Sequence, residues 1–314
     1  MAKNQGGGMS MIEKRDFGGY EQYILGSDEL ELSVMTLGAT VTGLKFRGRE
    51  TVLRYDAAED YLNKIGYINA AIGRYANRIR GARFSLNGRE YILPANEGRN
   101  QLHGGPESYD RRVWQGELVC DDAVRFTLFS PDGDNGFPGN LTAAVTYRVQ
   151  GGAFRMDFEA VSDADTVFAP TSHLYFNLDG SAHILDHELM INAGRYLEVD
   201  GELIPTGRLL PTEGDFDFKA MRKVAGDYDH CFVLSSSHAC TVQAGGISME
   251  LHTDFPALQI YTASMMGEPF GRNAGLAIEP EFFPDSPNHP EFPTTLLKAG
   301  EKFHKYAEVR FKAV

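Results

Sequence analysis

Two closely spaced carboxylates near the C-terminus are candidates for acid–base chemistry. Glu279 ends the apolar run Leu276 to Ile278, and Glu281 follows two positions later. A carboxylate that ends an apolar strand is poorly placed for a solvated face, and burial there raises its pKa and favours a role as a base. The alternative interpretation of this segment is an acidic surface loop.

A histidine in the middle of the chain is the second candidate for proton transfer. His173 lies in TSHLYFNL, among aromatic and polar residues. Since the ordinary pKa of histidine is about 6.5, its imidazole exchanges a proton near neutral pH. A buried, hydrogen-bonded histidine without a catalytic role fits the same surroundings, and the residues alone favour neither interpretation.

Three further polar clusters contain residues suited to binding a small polar molecule. In GRYANRIR, the guanidinium of Arg78, next to Asn77, matches the hydroxyls or ring oxygen of a sugar, although a surface charge is the common role of a lone arginine such as Arg74 or Arg78. In NQLHGG, His103 precedes two glycines that let the backbone approach a ligand. Asp229 in GDYDHCFVL is a weaker candidate, because an aspartate before a strand is often a cap or turn residue.

The elements that must position these residues are predicted to be strands. Apolar residues alternate with polar ones in several segments, which is typical of strands with one face on a core; the segments are Leu30 to Leu37, Val124 to Phe129, Leu141 to Val149, Phe154 to Val161 and Phe303 to Phe311. Asn87-Gly88, between alternating residues, predicts a hairpin over Arg83 to Leu93. Asp56 to Leu62 predicts one or two helical turns. We therefore expect an all-β fold, a large antiparallel β-sandwich with few short helices.

Composition narrows the class of protein. The net charge of −13, from 43 acidic and 30 basic residues, argues against nucleic-acid or anionic-membrane binding, since both need a positive surface. Three cysteines without CxxC spacing predict reduced thiols in the cytoplasm and no zinc site.

Residues 1–10, MAKNQGGGMS, are expected to be a disordered leader or a cloning remnant. Residues 11–314 are expected to form one domain.

Taken together and in this order, the clusters resemble the aldose 1-epimerase (galactose mutarotase) family. The motifs are GRYANRI, NQLHGG, SHLYFNLDG, YDHCFVL and IEPEFFPDSPNHPEFP followed by LLKAGE, and they span nearly the whole chain from Gly73. The resemblance implies a large β-sandwich with a concave site. It also implies interconversion of the α and β anomers of a free hexose, galactose or glucose, by a monomer or homodimer that needs neither cofactor nor metal.

The resemblance also implies a role for each matching residue. Glu279 corresponds to the general base and His173 to the general acid, while four residues correspond to those that bind and orient the sugar: Asn77, Arg78, His103 and Asp229. Two positions depart from the family pattern, which most often has asparagine at 172 and usually glutamine at 281. Here they are Ser172 and Glu281. A negative charge on Glu281 would raise the pKa of Glu279 and could change the preferred sugar.

Other interpretations of the same residues remain open at the level of sequence. Paired carboxylates also hydrolyse glycosidic bonds, although Glu279 and Glu281 are close together for two residues that must flank a bond. A sugar-phosphate epimerase would use the arginines between Arg74 and Arg83 to bind phosphate. A non-catalytic carbohydrate-binding module on the same sandwich would need no acid–base pair.

Overall fold

A computed structural model describes residues 11–63 and 66–314 of the chain. The segment 1–10 for which we expect a leader lies outside these residues. The described part contains one α-helix, α1 Ala58–Asn63, and five short 3-10 turns: Arg80–Ala82, Tyr109–Arg111, Asp134–Gly136, Gly214–Phe216 and Ser286–Asn288. None of the helices described is long and apolar enough to cross a membrane.

The described strands are numbered β1 to β28 in chain order. The first ten are β1 Met11–Phe17, β2 Tyr20–Gly26, β3 Leu30–Met35, β4 Thr40–Phe46, β5 Arg49–Glu50, β6 Ala71–Ile72, β7 Arg78–Ile79, β8 Arg83–Leu86, β9 Arg89–Ile92 and β10 Gln101–Leu102. The next ten are β11 Gln115–Cys120, β12 Ala123–Ser130, β13 Leu141–Gln150, β14 Ala153–Ser162, β15 Thr166–Val167, β16 Thr171–Ser172, β17 Tyr175–Phe176, β18 Glu188–Ile191, β19 Ala193–Val199 and β20 Pro205–Pro211. The last eight are β21 Arg222–Lys223, β22 Asp229–Leu234, β23 His238–Ala244, β24 Ile247–Thr253, β25 Ala257–Tyr261, β26 Leu276–Glu281, β27 Leu296–Leu297 and β28 Lys302–Ala313.

Three antiparallel sheets form the body of the fold. The largest has nine strands in the order β11-β12-β13-β14-β28-β24-β23-β18-β21, the second has six in the order β17-β26-β25-β22-β19-β20, and the third is the meander β1 to β5. Side chains from all three meet in one apolar cluster, to which Leu32, Phe158 and Leu258 belong. This arrangement confirms the predicted all-β sandwich, because each sheet buries one face against another.

Strand β14 illustrates how the alternation in the sequence produces the layers. Phe154, Met156 and Phe158 are buried, whereas the residues between them are only half-buried. Successive side chains of a strand point to opposite faces, so a polar residue at every second position keeps one face of the sheet near water. A register shift of one residue would expose the aromatic rings, which fixes the pairing of β14 with β13 and β28.

The predicted hairpin and helix both occur, the helix with a small difference. β8 and β9 pair across Asn87 and Gly88, which have φ values of 52° and 77°. Both residues are in the left-handed region that a type I′ turn requires. The helix starts at Ala58, two residues after the expected Asp56.

Candidate active site

A pocket of about 240 Å³ brings together residues that lie far apart in the chain. All six residues singled out from the sequence line it, and Glu97 and Gln259 complete its polar surface. Five apolar or aromatic side chains form much of the remaining wall: Tyr67, Tyr175, Tyr261, Met265 and Met266. Aromatic rings beside a few convergent polar groups are typical of a small-molecule site.

Strand β26 carries Glu279 to the floor of this pocket. Because side chains alternate along a strand, Leu276 and Ile278 pack into the main core while Glu279 faces the opposite side. Glu279 is only 2% exposed. Its neighbour across the ladder, Gln259 on β25, lines the same pocket. The sequence interpretation of Glu279 as a buried strand residue is therefore correct, and the surface-loop alternative is wrong.

The link between β16 and β17 presents His173 to Glu279. The backbone N–H of His173 donates to the carbonyl of Ala70, and its own carbonyl accepts from Asn69. These two bonds fix the residue, so that Nε2 of the imidazole lies 3.4 Å from Oε1 of Glu279. The ring stacks on Tyr175 with centroids 4.8 Å apart. The two titratable side chains therefore lie next to each other in the buried part of the pocket.

Two hydrogen bonds connect Asn77 and His103. The N–H of His103 donates to the carbonyl of Asn77, and the N–H of Asn77 donates to Nδ1 of the His103 ring at 3.1 Å. Since Nδ1 accepts a bond, the neutral ring carries its hydrogen on Nε2. The following Gly104 has a φ of 87°, and a Cβ there would lie 2.0 Å from the carbonyl oxygen of Gly73. Only glycine allows this approach.

Arg78 is oriented by two carboxylates. Its Nε and Nη2 donate to the two oxygens of Glu97 at 2.7 and 2.8 Å, and Nη1 lies 3.8 Å from Oδ2 of Asp229. Asp229 in turn accepts a bond from Gln259. The paired bonds to Glu97 match the fork of the guanidinium and hold it rigidly at the edge of the pocket.

Arg74 has a different position from the one that sequence reasoning favoured. It is 2% exposed, so the surface interpretation is wrong for Arg74 as it is for Arg78. The guanidinium donates to the carbonyls of Ser130, Pro131 and Pro138 and does not line the pocket. Its role is therefore to hold the end of β12 and the loop that follows it.

Burial changes the proton affinities of the central groups. It lowers the pKa of His173 to about 3 and that of His103 well below its ordinary value, where the nearby His173 and Arg78 add a smaller effect in the same direction. Burial raises the pKa of Glu279 well above its ordinary range, and the charges of Glu281 and Asp229 raise it further while Arg78 opposes them. A carboxylate with a raised pKa is a stronger base.

Two residues that line the pocket were not predicted from the sequence. Glu97 lies in a polar loop where a glutamate is unremarkable, so no signal marks it. Gln259 did carry a signal, because it is a polar residue at a buried position within the apolar strand ALQIY.

Among the described residues, one donor atom each from His103, His173 and Glu279 lies within 4.8 Å of the others, so this trio has the donors to hold a metal ion.

Comparison with known proteins assigns the chain to a family. The model of the aldose 1-epimerase family matches residues 21–310. Galactose mutarotase of Rattus norvegicus is 35% identical, over 94% of this chain and 94% of that protein. Aldose 1-epimerase of Escherichia coli K12 is 36% identical, over 90% of this chain and 92% of the other. The crystal structure of galactose 1-epimerase from Lactobacillus acidophilus superimposes with a TM-score of 0.88 at 27% identity, covering 98% and 99% of the two chains. This chain belongs to the aldose 1-epimerase family.

Proposed function

We propose that the protein interconverts the α and β anomers of a free hexose, galactose or glucose, with Glu279 as the general base and His173 as the general acid. The observation that carries this proposal is the 3.4 Å approach of the two side chains inside one buried pocket. Mutarotation needs one group that accepts a proton and another that donates one, and no further chemistry.

The reaction begins with proton transfer at the C1 hydroxyl and at the ring oxygen. Glu279 removes the proton from the C1 hydroxyl while His173 gives a proton to the ring oxygen O5. The C1–O5 bond then breaks, and C1 becomes the carbonyl carbon of an open-chain aldehyde. After rotation about C1–C2, the O5 hydroxyl attacks the other face of C1, and both protons return to where they started.

Glu279 and His173 together hold one proton for this cycle. In the free pocket, burial favours the neutral form of both groups, with the proton on the carboxyl. Moving the proton to the imidazole leaves the net charge of the pair unchanged. Sugar hydroxyls that donate to Glu279 stabilise its carboxylate and so favour this second form. Each group acts as acid in one direction and as base in the other.

The remaining polar residues bind and orient the sugar. His103 presents its Nε2–H, and Arg78 its Nη1, as hydrogen-bond donors for O5 or a neighbouring hydroxyl, where negative charge develops as the ring opens. Asp229 accepts hydrogen bonds from sugar hydroxyls. Asn77 holds His103 through the backbone contacts described above.

Polarimetry tests the proposal directly. Freshly dissolved α-D-glucose and α-D-galactose are followed with and without the purified protein. We expect rotation to decay faster to the same equilibrium value, and the two rates then rank the sugars. Unchanged decay with both sugars would refute the activity on these substrates, and sugar binding without faster decay would indicate a carbohydrate-binding module.

We also propose that the protein resides in the cytoplasm. Its three cysteines are unpaired, with Cys120 exposed and Cys231 and Cys240 buried. An exposed free thiol is typical of a reducing compartment. Fractionation of cells that express the protein, followed by detection with an antibody, tests this location.

A further inference from the structure

Glu281 is a buried carboxyl group that the mechanism above does not use. It lies two residues after Glu279 on β26, and its side chain is completely inaccessible to solvent. It is not part of the pocket lining. Oε1 accepts a hydrogen bond from the side-chain amide of Asn77 at 3.1 Å, while the buried Oε2 has no hydrogen-bond partner among the described residues.

The surroundings of Glu281 are poor for a carboxylate anion. A buried anion needs several donors or a paired cation, and in the described part of the chain Glu281 has one amide donor. Arg78, a cation that interacts with Glu281, is bound to Glu97 through two hydrogen bonds. The titratable and charged groups that interact with Glu281 are Glu279 on the same strand, Cys231 and Asp229 on β22, Arg78 on β7 and Tyr75 in the preceding loop. All of these except Arg78 are neutral or acidic.

We propose that Glu281 is a positioning residue that works as a neutral carboxylic acid. It accepts the hydrogen bond of the Asn77 amide, and of the two carboxyl groups only Glu279 gains and loses a proton. The inference deepens the proposed function and rests on it. A protonated carboxyl has the shape of the glutamine amide usual at this position and offers Asn77 the same carbonyl acceptor.

Asn77 transmits the effect of Glu281 to the pocket. Its amide nitrogen donates to Glu281, its Oδ1 accepts from the backbone N–H of Arg78, and its own backbone N–H donates to the ring of His103. Asn77 has a φ of 61°, a conformation that needs support from its neighbours. Loss of the Glu281 acceptor would therefore disturb Arg78 and His103 together.

The protonation of Glu281 also determines how the base behaves with pH. Burial raises the pKa of Glu281, and Asp229 raises it further. When Glu281 finally ionises, its charge raises the pKa of Glu279 and keeps a proton on the base. A neutral Glu281 adds no such charge, so we expect the pH profile of the Glu279–His173 pair to be the same with glutamic acid or glutamine at position 281.

Two variants separate the acceptor role of Glu281 from its charge. E281Q keeps the acceptor for Asn77 and cannot ionise, whereas E281L removes the acceptor. We expect E281Q to retain kcat/KM within about threefold at neutral pH and to keep the pH profile of the wild type. We expect E281L to lose about tenfold in kcat/KM, because a buried amide donor is left without a partner. The measurements are the pH profiles of kcat and KM from polarimetry.

Infrared spectroscopy provides a readout that does not depend on activity. The wild-type protein at neutral pH should show a protonated-carboxyl C=O band to which both Glu279 and Glu281 contribute, and the Glu281 contribution should be missing in E281Q. If this band is the same in both proteins, or if E281Q moves the acidic limb of the profile to lower pH, Glu281 is charged and the proposal is wrong. An E281Q variant as impaired as E281L also overturns it. Should wild-type protein not accelerate mutarotation, the proposed function fails, while the infrared comparison still decides the state of Glu281.

Discussion

The contact between Glu97 and Arg78 offers a sharp test of how the pocket is organised. Glu97 binds Nε and Nη2 of Arg78 and leaves Nη1 facing the pocket. Replacement of Glu97 by glutamine keeps its size and one acceptor but removes the charge and the matched pair of bonds. Arg78 is then free to turn towards Asp229, whose Oδ2 already lies 3.8 Å from Nη1.

The size of the effect follows from the geometry. A hydrogen bond between charged groups contributes about 1.5–3 kcal/mol to stability or binding. The Glu97 side chain is 36% exposed, so water screens part of the interaction and the lower end of this range applies. A loss of about 1.4 kcal/mol in transition-state stabilisation corresponds to a decrease of about tenfold in kcat/KM.

Polarimetry on wild type and E97Q at neutral pH measures this decrease. The matched control is E202Q, because Glu202 forms an ion pair with Arg99 at 2.9 Å whose side chains are 44% and 68% exposed. We expect that surface pair to contribute nothing measurable to activity. If kcat/KM of E97Q stays within about twofold of wild type, or if E202Q has an equal effect, the argument that Glu97 holds Arg78 in place is refuted.

Three further expectations concern the base, the buried arginine and the histidine. E279Q should lose ~100- to 10,000-fold in kcat with its circular dichroism spectrum unchanged, and wild-type-like turnover would contradict the assignment of the base. R74M should lower the free energy of unfolding by about 3 kcal/mol or more without changing KM, because it strands buried carbonyl groups; urea denaturation and a sugar titration check both parts. His173 has a pKa of about 3 in the folded protein and is therefore neutral there. In the unfolded chain it binds a proton below about pH 6.5. The free energy of unfolding should therefore fall as pH drops from about 6.5 towards 3. H173Q should lose less stability than wild type between pH 7 and 5 in urea titrations, and an equal loss would contradict this explanation.

Local patterns in the chain were enough to predict several of the longer strands and one hairpin turn. Alternation predicted β12, β13 and β14 because a strand with one buried face needs an apolar residue at every second position. Asn87-Gly88 predicted the hairpin because its two residues tolerate positive φ. The resemblance of five motifs to one family then supplied the six candidate residues, all of which line a single pocket.

Tertiary structure alone decided which of these residues meet and in what protonation state. Arg74 and Arg78 are two arginines in one motif, yet the first binds carbonyls between β12 and β13 and the second faces the pocket. Glu97 became visible as a site residue only through its bonds to Arg78. The proton affinities of Glu279 and Glu281 depend on burial and on groups from other strands. The sequence gives the type and spacing of residues. Hydrogen bonds and desolvation depend on the distances between segments, and those distances are determined by the folded structure.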